Sequence, residues 1–129
     1  MVEAGQSVTV LAVDDQPIFL RTARSLIAAT PGFEQVGEAA SGEEAIELAE
    51  VLNPDLVLVD VRMPGMDGLE TARRLTRRDP HPVVVLISLE EMPEASDAAG
   101  RTGVAACVRK QELSTRTLQE LWRSVGRRD

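Results

Sequence analysis

Two stretches of this 129-residue chain, "LVLV" at 56–59 and "VVVLI" at 83–87, are apolar at every position. A strand with one wet face alternates apolar and polar side chains; a strand covered on both faces has no reason to. Such runs demand a sheet sandwiched between layers of helix, and the remaining sequence offers the helices. "VTVLAV" (8–13) is a third strand candidate, "FEQVGEAA" (33–40) an edge-like one interrupted by Glu34 and Glu38, and "VAACV" (104–108) a weak fifth. Each is followed by a segment of helical period, so the pattern is βα repeated five times.

The helices carry their own start signals. Pro17 sits where a first turn favours proline, and Phe19, Ala23, Leu26 and Ile27 then share one face. In "SGEEAIELAEVLN" Ser41 is placed as a cap with Glu44 three residues on, a capping box. Residues 68–78 put Leu69, Ala72 and Leu75 inward. The last helix is the clearest: Leu118, Leu121, Trp122 and Val125 follow i, i+3, i+4, i+7, with Ser114 as cap and Leu113 and Leu118 as a hydrophobic staple. Residues 90–102 make the poorest helix, with Pro93, Gly100 and few large apolar residues.

Hydrophobic residues at 43% and charged residues at 27% describe an ordinary globular chain, and its length suits one domain. No apolar run approaches a membrane span, and "MVEAGQSV" has neither the basic flank nor the apolar core of a signal segment. The single cysteine, Cys107, excludes an internal disulfide, so a cytoplasmic protein is expected. A net charge of −7 argues against a standing nucleic-acid surface and is compatible with binding a cation.

In open parallel sheets the ligand site lies beyond the C-terminal strand ends. That is where this sequence puts its unusual polar residues: Asp14 and Asp15 after the first strand, Asp60 ending the third, Ser88 the fourth and Lys110 the fifth. Singly, each has a plain explanation as turn, cap or surface residue. Jointly, the three carboxylates would meet, and two of them about 4 Å apart repel by roughly 4 kcal/mol at an effective dielectric of 20. A compensating cation is called for, and oxygen donors with open positions suit Mg²⁺. A lysine and a hydroxyl at the same place would complete a shell for a tetrahedral anion.

"VLAVDDQPIF", "VLVDVRMPGMDGLE", "VVVLIS" and "CVRK" resemble, in order and spacing, the signature segments of the bacterial response-regulator receiver domain, over nearly the whole chain. The resemblance implies a CheY-like, flavodoxin-like (βα)5 fold with strand order 2-1-3-4-5, and because it covers nearly the whole chain, residues 1–129 are expected to be one receiver with no output domain in the chain. It implies a phosphorylation-dependent switch in two-component signalling. Asp60 would accept a phosphoryl group from a sensor histidine kinase or phosphotransfer protein. Asp15, Asp60 and the backbone carbonyl of Arg62 would bind Mg²⁺, with Asp14 acting through a water. Lys110 and Ser88 would contact the phosphoryl group, and Ser88 with position 107 would form the switch. The face of the fourth helix, fifth strand and fifth helix would then bind a downstream protein, or a second copy of the chain, with no direct nucleic-acid or membrane contact. The domain would be no enzyme beyond taking up its own phosphoryl group and slowly losing it.

Three departures from that family bear on output. The aromatic residue usual three positions before the lysine is Cys107 here; Gln111 replaces the proline that commonly follows the lysine; and the fourth helix is poor in core residues. Phosphorylation would then order residues 90–102 rather than move a ring. Two other functions compete. A module working independently of phosphorylation is favoured by the missing aromatic and opposed by the intact acids, Ser88 and Lys110. A Mg²⁺-dependent aspartyl-phosphate phosphohydrolase is opposed because "VDDQP" lacks the D-x-D spacing and the chain has no room for a substrate cap. His81, Met63, Met66 and Trp122 read as loop or packing residues. "LWRSVGRRD" reads as a charged chain end, which favours a stand-alone receiver, whereas "VDVRMPGMDG" is also typical of receivers joined to DNA-binding domains.

Overall fold

Alternate residues of the central strands point to two different cores. Leu11, Val13, Val57, Val59, Val84 and Leu86 lie in one buried cluster; Val10, Ala12, Leu56, Leu58, Val83, Val85 and Ile87 lie in the other. This is the two-sided burial that uninterrupted apolar runs require. The computed structural model describes residues 7–90, 101 and 103–126, except the side chains of 125 and 126. Most of the expected fourth helix, at 90–102, and the Val125 side chain therefore lie outside the described residues.

The order is β1 (Val8–Val13), α1 (Pro17–Ala28), β2 (Phe33–Ala39), α2 (Gly42–Leu52), β3 (Leu56–Asp60), α3 (Gly68–Thr76), β4 (Val83–Ser88), β5 (Ala106–Arg109) and a C-terminal helix, Thr115–Leu121. All strand pairs are parallel, and the sheet runs β2-β1-β3-β4-β5, the flavodoxin-like order expected. β2 is an edge, with Glu34 exposed and Glu38 half-buried. The helices divide between the faces: α2 and α3 bring Ala45, Ala49, Ala72 and Leu75 to one core, while α1 and the C-terminal helix bring Ala23, Ile27 and Leu118 to the other. Each fully buried Leu, Ile or Val of this set contributes about 1.5–3 kcal/mol of transfer free energy.

Local signals account for the ends of the helices. Ser41 Oγ accepts the Glu44 N–H at 3.1 Å, as a capping box requires, but the Glu44 carboxylate returns to the N–H of Ala40 rather than that of Ser41. Ser114 Oγ accepts from Thr117 N, and Leu113 packs in the same cluster as Leu118, as the staple anticipates. α3 stops at Thr76, two residues short of the expected 78, and β5 lies two residues later in its start than "VAACV" implies. Both shifts are at termini, where pattern alone is least informative.

Candidate functional site

β1 stands between β2 and β3, so the chain order reverses beside it, and the crevice beyond the strand ends opens there. Asp14, the first residue past β1, is fully buried. Its Oδ1 accepts the Gln16 N–H at 2.8 Å, an Asx turn that leads the chain into α1 at Pro17. Asp60 is the last residue of β3 and is nearly buried, whereas Asp15 is more open than either. One carboxylate oxygen from each of Asp14, Asp15 and Asp60 lies within 4.8 Å of the other two.

Lys110 follows β5 and points its ammonium into this group. Nζ is 2.7 Å from Asp14 Oδ2 and 3.8 Å from Asp60 Oδ2, and the lysine side chain is only 9% exposed. Behind Asp60 the chain is pressed close: a Cβ on Gly68 would sit 2.2 Å from the Asp60 carbonyl oxygen. Only glycine fits there, and it lets α3 start directly against the strand end.

The charge balance is lopsided, with three carboxylates against one ammonium. Burial, followed by repulsion from Asp14 and more weakly from Asp15, pushes the Asp60 carboxyl up to about 6, against the pull of Lys110 and the Arg62 N–H. A hard divalent cation would neutralise that excess. Several carboxylate oxygens around an open position form a donor set that fits Mg²⁺. Asp60, Arg62, Ser88 and Lys110, with Gln16, Leu89 and Glu90, line a cleft of about 390 Å³ beside it.

Every expected site residue except Cys107 comes to this crevice. Ser88 ends β4 and is buried, yet its hydroxyl is engaged locally, donating to Glu90 O at 2.6 Å and accepting from Glu90 N at 3.2 Å. Arg62 is exposed, and its N–H reaches Asp60 Oδ1 at a long 3.4 Å. Cys107 is half-buried on β5 opposite Leu86, packed against the core shared by α2 and α3. Met63, expected to pack its own loop, is buried in that core, and His81 is half-buried rather than an open loop residue, its Nδ1 2.7 Å from Pro82 O. Sequence reasoning read Phe19 as core alone; its ring also lies under the Lys110 ammonium, 4.5 Å from Nζ to the centroid. Helical spacing put Phe19 on the inward face of α1, but nothing in that spacing tied it to Lys110, far along the chain.

The family model described as the response regulator receiver domain matches residues 10–122. The chain belongs to this family. The receiver is 43% identical over 86 residues to the nitrate/nitrite response regulator NarL of Escherichia coli K12, which covers 67% of this chain and 40% of that protein. Among solved structures it resembles the receiver domain of the response regulator NarL from Mycobacterium tuberculosis, with TM-score 0.86, 30% identity and coverage of 95% of this chain and 99% of that one. It also resembles the CheX-CheY-BeF3-Mg²⁺ complex of Borrelia burgdorferi, with TM-score 0.83, 25% identity and coverage of 96% and 92%. The receiver spans about a fifth to two fifths of the length of the curated relatives it matches. No helix among its described residues is long and apolar enough to cross a membrane.

Proposed function

We propose that this receiver is a phosphorylation switch in which Asp60 is the phosphoacceptor. The observation that carries the reading is the convergence of Asp14, Asp15 and Asp60 within 4.8 Å, beside a buried Lys110 and at the mouth of an open cleft. Of the three clustered acids, Asp60 is the one that lines that cleft, which supports it as the acid a phosphodonor reaches. A carboxylate oxygen of Asp60 attacks phosphorus; the bond from phosphorus to the donor breaks, and the donor leaves with the electron pair and takes a proton from solvent.

Asp15 and Asp60, with the Arg62 carbonyl, would hold Mg²⁺, and Asp14 would act through a water. When bound, Mg²⁺ supplies neutralisation of the charge spread over the equatorial phosphoryl oxygens. Lys110 needs to move little to pair with those oxygens, since it already lies 3.8 Å from Asp60 Oδ2. To donate to them Ser88 must turn its O–H away from Glu90 O, which would couple the phosphoryl group to the backbone that follows β4. Phosphorylation adds about −1.5 to −2 charges, enough to reorganise nearby loops and so to alter the face that carries β5 and the C-terminal helix. The phosphoryl group would come from a histidine kinase or phosphotransfer protein in the cytoplasm. The altered face would engage a downstream protein or a second copy of the chain, and the domain itself would turn over no external substrate.

Incubation with acetyl phosphate and Mg²⁺, followed by intact mass, tests the reading. A single phosphate on the wild type and none on Asp60→Asn is the expected result. No uptake by the wild type, or undiminished uptake by the variant, would refute it. Partner binding that ignores Asp60→Asn would favour the phosphorylation-independent module instead.

A further inference from the structure

Two groups from one short segment grip the Lys110 ammonium. Asp14 Oδ2 meets Nζ at 2.7 Å, and the face of the Phe19 ring lies 4.5 Å away. Two hydrogen bonds tie the segment together: Asp14 Oδ1 takes the Gln16 N–H at 2.8 Å, and the Phe19 N–H donates to Gln16 O at 3.1 Å. Phe19 is half-buried against the core shared by α1 and the C-terminal helix. The lysine, 9% exposed, has exchanged water for these partners. An aliphatic side chain at position 19 would fill the same core but would offer a cation no negative face.

We propose that Phe19 is a positioning residue for Lys110, a role that rests on Asp60 being the phosphoacceptor. The ring and Asp14 hold the ammonium 3.8 Å from Asp60 Oδ2, where incoming phosphoryl oxygens find it without a search through lysine rotamers. The chain contains no Tyr, and this Phe is an aromatic ring that acts on the site from α1 rather than from β5. Its part is to set how quickly Asp60 is phosphorylated, not which way an output residue turns.

Progressively fluorinated phenylalanines at position 19 test this, because they keep the shape of the ring while draining its negative face. Phosphate uptake from acetyl phosphate under saturating Mg²⁺ should fall stepwise along the series, reaching about a tenfold loss at the most fluorinated ring and in Phe19→Leu. Phe19→Trp should retain the wild-type rate. Without any phosphodonor, the Lys110 ε-methylene protons should show a ring-current shift in the wild type that disappears in Phe19→Leu. Equal rates along the fluorinated series, or unshifted ε protons in the wild type, would overturn the proposal and leave Asp60 as phosphoacceptor. A wild-type protein that takes up no phosphate would overturn both, so the two failures are told apart.

Discussion

Lys110 Nζ stands 2.7 Å from Asp14 Oδ2 and 3.8 Å from Asp60 Oδ2, so the site's buried cation is committed first to the acid after β1 and only second to the acid ending β3. Asp14 is fully buried, and its Oδ2 has no other polar partner among the described residues. Removing the ammonium therefore strands a carboxylate away from water. Lys110→Met should lower the free energy of unfolding by about 3 kcal/mol at neutral pH. Urea denaturation measures it, and a loss below about 1 kcal/mol would mean that Asp14 finds relief elsewhere.

Asp60 gives stability a pH dependence of definite sign. Its carboxyl is raised from 3.8 to about 6 in the fold, chiefly by burial and then by Asp14. The native state thus holds this proton more tightly than the unfolded chain, and the group favours folding at low pH. That advantage declines as pH rises from about 4 and is gone above about 6, a swing of up to about 3 kcal/mol. Asp60→Asn has no proton to lose. In metal-free buffer its stability relative to wild type should grow across that window and level off above it, as read by thermal melts at stepped pH. A difference that stays constant with pH would show that Asp60 titrates normally.

The same proton competes with a metal. Millimolar Mg²⁺ should raise the melting temperature of the wild type more at about pH 8 than at about pH 5, because a protonated Asp60 is a poor ligand. Asp15→Asn and Asp60→Asn should each lose most of the shift. Calorimetry at the two pH values gives the affinities directly, and equal Mg²⁺ binding by wild type and both variants would remove these acids from the metal site.

Two glycines, one in the loop after β3 and one opening α3, separate conformational from steric demand. Gly65 has φ +75° with open space around it, so Gly65→Ala should cost only about 1–2 kcal/mol of backbone strain. At Gly68 an added Cβ would meet backbone atoms, Asp60 O at 2.2 Å and Val61 Cα at 2.7 Å, which cannot swing aside as a side chain would. Gly68→Ala should cost about 3 kcal/mol and also weaken Mg²⁺ binding, since the displaced neighbour is Asp60 itself. Chemical denaturation and Mg²⁺ titration of the pair check this, and an Ala at 68 that leaves both unchanged would show a loop looser than the packing indicates.

Much of this protein could be read before any coordinates. The β3 and β4 runs reported two-sided burial because an apolar side chain at every position leaves no face for water. Ser41 and Ser114 announced helix starts because a cap depends on residues only three apart. The acids followed from topology, since strand ends in a parallel sheet converge on one edge. Ser88 is a different case. Its position was evident, but its bonds to Glu90 depend on how the chain turns after β4.

Short-range rules thus account for the elements, their order in chain and the edge of the sheet that carries the polar residues, because periodicity, capping and strand burial are encoded within a few positions. The grip of Phe19 on Lys110, the preference of that lysine for Asp14 and the closeness of Gly68 to Asp60 belong to the folded state. Each depends on ångström-scale distances between separate segments, which packing alone sets once α1, β3 and β5 are pressed against one another.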